Sequence, residues 1–126
     1  MRVKRLILCL LLALAAVPAW AEWVRADETD SAITYIDPAT IRKDGNLRRV
    51  WEIQNLKQRH KHGEMSRRGL FEYDCKDERS RILSFSTHSD AMARGNTIVS
   101  LNEPDTWVYA PPGTPIQTIM RIVCAK

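Results

Sequence analysis

An export signal followed by a single pair of cysteines restricts this chain more than any other feature of its sequence. Arg2, Lys4 and Arg5 make a positive start, Leu6 to Val17 is an apolar run interrupted only by Cys9, and Ala19-Trp20-Ala21 supplies a small-x-small cleavage pattern. A transmembrane helix needs about 20 apolar residues, whereas Pro18 and Glu22 close this run early. The expectation is a signal peptide over residues 1–21 and one domain over residues 22–126. Cys9 follows the bulky Leu8 in the middle of the apolar run, where lipoprotein processing needs a small residue. The expected destination is therefore the periplasm, the cell surface or the medium, without a lipid anchor.

Cleavage removes three of the 19 basic residues and none of the 15 acidic ones, which leaves a net charge of +1. A near-neutral exported chain is not expected to take nucleic acid as its partner, and no further transmembrane segment is expected. A domain of about 100 residues has limited burial and gains from a covalent staple. Cys75 could serve as a nucleophile, a metal ligand, a structural thiol or half of a disulfide. Cys75 and Cys124 are the cysteines that remain, and outside the cytoplasm paired thiols persist as disulfides.

Periodicity brings these two residues together. "AITYID" runs into the turn pair Asp37-Pro38, and "TIRK", Asp44-Gly45-Asn46 and "LRRVWEIQNL" make a hairpin signature. In "RRGLFEYDCK" the period of two places Gly69, Phe71, Tyr73 and Cys75 on one face, and Leu70, Glu72, Asp74 and Lys76 on the other. "RILSFSTH" and "NTIVSL" read as further strands, and Trp23, Trp51 and Trp107 as core or rim residues of the sheet. The C-terminus then changes period. Thr114, Pro115 and Gln117 form a capping box with proline at the first helical position, and Ile116, Ile119, Met120, Val123 and Cys124 share a helical stripe. So short a helix must pack on something, and the face bearing Cys75 is its expected partner. A Cys75–Cys124 disulfide is the reading that follows.

A cysteine hydrolase would need a free thiolate beside a histidine. His60, His62 and His88 stand in no recognisable catalytic setting, and a bonded Cys75 has no thiolate to offer, so no catalytic residue is expected. Phosphate-loop, dinucleotide, nucleophile-elbow and calcium-loop patterns are absent, and no cofactor is expected. "HKHGE" offers His60, His62 and Glu64, which on a strand would put both imidazoles on one face as zinc or copper ligands. A small periplasmic metal-binding or enzymatic domain built on these three is the alternative function. A solvated connection is the favoured reading of the same residues, so no metal site is expected. Lys57, Arg59, Lys61, Arg67 and Arg68 surround the single Glu64, and histidine adds charge below about pH 6.5. With His60 they form a basic loop suited to a sulfated glycan or an acidic protein segment.

Taken in order, Trp23, "YIDPATI" (35–41), "VWEIQNLK" (50–57), "EYDCK" (72–76), Gly95, Trp107 before "PPGTPI", and "VC" (123–124) resemble the surface-adhesin protein E family of bacterial envelope proteins. The resemblance implies an α+β fold, an antiparallel sheet of about six strands with a C-terminal helix on its concave face, tied by a disulfide at Cys75 and Cys124. It also implies a non-catalytic adhesin that engages host matrix proteins such as laminin, vitronectin and plasminogen, and that can form a homodimer. The family's namesake is lipid-anchored, whereas "AWAEW" here is a signal-peptidase pattern.

Intact-mass analysis of the exported protein is expected to show a chain that begins at Glu22, carries no acyl group and is lighter than its reduced form by one pair of hydrogens. Two alkylatable thiols in the unreduced, denatured protein would refute the pairing.

Overall fold

A computed structural model describes residues 21–126; the expected signal peptide, apart from Ala21, lies outside the described residues. The strands are β1 (Val24–Glu28), β2 (Ala32–Ile36), β3 (Arg42–Asp44), β4 (Leu47–Leu56), β5 (Ser66–Asp74), β6 (Arg79–His88), β7 (Thr97–Leu101) and β8 (Val108–Tyr109), and the chain ends in helix α1 (Pro115–Cys124). Six strands form one antiparallel sheet in the order β1-β2-β4-β5-β6-β7. The two short strands extend its edges, β3 pairing with β4 beyond β2, and β8 with β6 beyond β7. This is the expected α+β architecture.

Local chemistry explains the main corners. β3 and β4 join through Gly45-Asn46, with Asp44 opposite Leu47 and Gly45 at φ +55°, a left-handed conformation that glycine adopts without steric cost. Asp37 caps a short 3-10 turn over Pro38–Thr40 by accepting from the Ala39 N–H, and Thr40 Oγ1 in turn accepts from the Trp51 N–H. Thr114 caps α1 by accepting from the Gln117 N–H, with Pro115 following it. The reciprocal bond of the capping box moves back by one residue, since Gln117 Oε1 accepts from Gly113 rather than Thr114.

Register fixes which side chains meet. Val50 lies opposite Phe71, Glu52 opposite Gly69, Gln54 opposite Arg67 and Arg48 opposite Tyr73, so these share the face that α1 covers. Ile119, Met120 and Val123 of α1 pack with Ile36, Val50 and Tyr73 in one buried cluster. Cys75 and Cys124 are bonded across this contact with Cα atoms 5.8 Å apart. The pairing and the helix–sheet docking are therefore as expected.

The opposite, convex face is not simply solvated. Glu72 is fully buried there, between Arg49 and Arg81, which donate to its two carboxylate oxygens at 2.8 and 2.9 Å. Asp74 is also buried and accepts from Arg79 at 3.1 Å. Trp107 covers these strands, with the guanidinium groups of Arg79 and Arg81 at 4.6 and 4.5 Å from its ring. The cross-strand arginines, together with Trp107, explain why the polar side of β5 is buried.

The staple closes a loop of 49 residues. A Cys124→Ser variant of the mature protein is expected to lose about 2 to 5 kcal/mol of stability in denaturant titration. Equal midpoints for variant and wild type would mean that α1 docks without covalent help.

Candidate functional site

α1 covers only part of the concave face. Beyond its N-terminal turn lies a groove of about 760 Å³, floored by Glu52, Gly69 and Tyr73 and walled chiefly by Phe71, Phe85, Val99 and Ile116. Gly69 keeps that floor open, because a Cβ at this position would come within 2.9 Å of the Phe71 ring and 3.2 Å of the Ser84 carbonyl oxygen. His62, Glu64 and Arg67 stand at one end of the groove. The connection between β4 and β5 and the apolar groove thus form one continuous surface.

Each residue of the expected basic loop has a defined position. Lys57 Nζ lies 2.8 Å from Glu28 Oε1. Arg59 Nη1 donates to the Gly63 carbonyl at 2.7 Å and to the Ser89 carbonyl at 2.8 Å, so it ties this loop to the one after β6. Arg67 Nε donates to Glu64 Oε2 at 3.0 Å, and its Nη2 lies 3.1 Å from His60 Nδ1. Lys61 and His62 are exposed in the turn. Arg68 follows Arg67 on the strand and points to the other face, where its guanidinium lies 5.5 Å from the centre of the Trp51 ring. Arg59, His60, Lys61 and Arg67 are therefore neighbours at the turn, whereas Arg68 lies on the opposite face, and Lys57, Arg59 and Arg67 are already engaged within the protein.

The same geometry places the three residues of the metal reading. His60 and His62 sit in a turn rather than on a strand, and the Glu64 carboxylate accepts from Arg67. That hydrogen bond holds the Glu64 carboxyl below the usual carboxylate range against the opposing push of burial. A carboxylate so engaged presents its charge to the Arg67 guanidinium rather than to a metal ion. Among the described residues, no group of three or more His, Cys, Asp or Glu is placed to hold a metal ion.

Sequence reasoning missed Glu52. It is 4% exposed, on the helix-covered face, and accepts from the Tyr73 hydroxyl at 2.5 Å. Burial without a cationic partner pushes its pKa up to about 8, with the Tyr73 hydrogen bond opposing. Burial and the nearby Glu52 push the Tyr73 phenol well above its ordinary value in turn. A signal was present in "VWEIQNL", because Val50, Glu52 and Gln54 share one parity and Val50 is apolar.

Glu52 contrasts with Glu72 on the neighbouring strand. Burial pushes the Glu72 carboxyl up, but the hydrogen bonds from Arg49 and Arg81 outweigh it and hold the group below the usual range. Glu72 is a buried anion with two cations, whereas Glu52 is a neutral acid at pH 7. The folded state holds the Glu52 proton between about pH 4.5 and 8 while the unfolded state has released it, so this group lowers stability as pH rises through that window. Glu52→Gln is expected to remove that decline, gaining on the order of 4 kcal/mol at pH 8 relative to wild type and little at pH 4. Parallel urea-stability curves for the two proteins across pH 5–8 would show that Glu52 titrates normally.

The model of the surface-adhesin protein E family matches residues 23–125, a span that contains every described strand and the helix. Solved structures of Haemophilus influenzae protein E share the fold. The selenomethionine form aligns at a TM-score of 0.65 and 14% identity over 86% of this chain and 89% of that one. Another structure of the same protein aligns at 0.63 and 15% identity over 86% and 87%, and crystal form II at 0.61 and 16% over 87% and 97%. A comparison with curated proteins finds no match. With the family match spanning the whole sheet and its helix, the chain belongs to the surface-adhesin protein E family.

Proposed function

We propose that this chain is an exported, non-catalytic binding module of the cell envelope, cleaved after Ala21, that engages an acidic partner through the loop from Lys57 to Arg68. The observation that carries the reading is the family match over residues 23–125. The partner is an acidic glycan or a host matrix protein of the kind that laminin, vitronectin and plasminogen represent. The protein works in the periplasm or at the cell surface without a lipid anchor, and self-association into a homodimer belongs to the same reading. Arg59 supports it locally, because its bonds to the Gly63 and Ser89 carbonyls brace the turn that displays Lys61. Lys61 is exposed and has no carboxylate partner among the described residues, which leaves its charge for a ligand; Arg68 is likewise exposed and without a carboxylate, on the opposite face beside Trp51.

Exposed charges act over a distance that shrinks from about 30 Å at 0.01 M salt to about 8 Å at 0.15 M. Retention on immobilised heparin is therefore expected to fall steeply between these concentrations. The double variant Lys61→Glu with Arg68→Glu spares the loop's internal bonds, and it is expected to bind both heparin and laminin at least several-fold more weakly than wild type. If the folded variant binds both equally well, the loop is a solvated connection and the adhesive surface lies elsewhere.

A further inference from the structure

The two edges of the sheet differ. β1 carries Arg25, Asp27 and Glu28, has a register irregularity between Arg25 and Asp27, and lies beside α1. These are the charges, distortion and cover that protect an edge strand from pairing. β7 carries no charge, and its one irregularity falls at Ile98, where Val99 and Thr97 pair with the adjacent Thr87 and His88. Its five residues, Thr97–Leu101, are uncharged and all exposed, with Ile98 at 37%, Val99 at 43% and Leu101 at 48%, and Val108 and Tyr109 of β8 continue the apolar exposure along the same edge. Clustered exposure of this kind marks an interaction surface.

Backbone and side chains at this edge point the same way. The Val99 N–H turns inward to Thr87 Oγ1 at 3.1 Å, so beyond the bulge at Ile98 alternation turns the Ser100 N–H and C=O outward. Val99 and Leu101 lie opposite Thr87 and Phe85, which line the concave groove. A strand laid against β7 would send alternate side chains toward that groove, whose volume of about 760 Å³ exceeds one side chain. The ends of the edge carry opposite charge. The turn bearing Lys61 and His62 lies against Ile98, within contact of Gly63, whereas Glu103 and Asp105 follow Leu101.

We propose that the open edge of β7 and the groove behind it receive an extended segment of a partner polypeptide as an added antiparallel strand. That segment has β-branched or apolar residues at alternate positions, a basic residue at its N-terminal end facing Glu103 and Asp105, and an acidic residue at its C-terminal end facing the Lys61 turn. A second copy of this chain fits less well. Its own Val99 and Leu101 already lie over its own groove, so pairing β7 with β7 would extend both grooves without filling either. The order of the partner's charged ends rests on the basic loop of the proposed function, but strand addition itself does not.

The test uses mature protein and an end-blocked synthetic peptide in which valine alternates with threonine between an N-terminal lysine and a C-terminal aspartate. Saturable amide shifts at Ser100, with methyl shifts at Ile116, are expected in NMR titration. Ser100→Pro removes an outward N–H that the sheet does not use, and it is expected to weaken binding at least tenfold at unchanged Tm. N-methylating the peptide on the amides that face β7 should weaken binding equally, whether or not the proline variant folds. Exchanging the peptide's terminal charges should cost several-fold in affinity, and that difference should vanish at high salt. No binding at millimolar peptide, or binding unaffected by both Ser100→Pro and N-methylation, would overturn the proposal. So would a wild-type dimer in sedimentation that Ser100→Pro converts to monomer, which would assign the edge to a second copy. Heparin retention does not depend on Ser100, so failure here leaves the loop reading standing, and failure of the loop variant leaves strand addition standing.

Discussion

The docking of α1 on the concave face is the contact on which the rest of the structure depends. A helix of ten residues is marginal by itself, and its apolar stripe is stable only against Ile36, Val50 and Tyr73. The bond from Cys124 to Cys75 fixes the helix's C-terminal end just past β5. Because one end is fixed and the helix is short, Pro115 and Ile116 stop partway across the sheet. What they leave bare is the groove. The staple that holds the core together therefore also determines where an apolar surface stays open.

Two adjacent strands show how burial is reconciled with acidity. Glu52 and Glu72 are both almost inaccessible, on opposite faces, yet one is neutral and the other ionised. The difference is in the neighbours. Arg49 and Arg81 flank Glu72 in register across three strands, whereas Glu52 faces Gly69 across one strand pair and Ile36 across the other. Glu64, Glu72 and Asp74, all held below the usual range, favour the folded state above their unfolded pKa and lose that contribution as pH falls through their lowered values. Glu52 works in the opposite sense on the alkaline side. His88, held below its ordinary value by burial and by Arg68, adds a loss of stability as pH falls below about 6.5.

The parts of this structure legible in the sequence are those specified by near neighbours. Thr114-Pro115 begins the helix, Gly45 turns the hairpin, and the parity of Phe71, Tyr73 and Cys75 gives the face on which α1 docks. The environment of each charged residue was less legible, because their partners are distant in sequence. Arg59 reaches Ser89, Lys57 reaches Glu28, and Arg49 reaches Glu72. A run of five cations looks like an open field in the sequence, yet the fold neutralises or engages most of it. Glu52 was readable by parity alone, but only the length of α1 decides that it floors a groove.

Identities of 14 to 16% with structures of the same fold indicate that the frame needs few specific residues. An antiparallel sheet requires alternation, the helix a cap and a stripe, and the contact between them one pair of cysteines. None of these requirements reaches the outer side of β7 or the turn at Lys61. A frame so loosely specified cannot by itself fix a ligand, since function resides in sites carried on a fold. Ile98, Val99 and Leu101 are apolar and exposed at an uncharged edge, and such an edge carries a standing cost in aggregation. A chain that protects β1 with charge and leaves β7 uncharged keeps that cost on one edge only, beside the groove. The uneven protection of the two edges is the feature that separates a binding surface from a merely tolerated one.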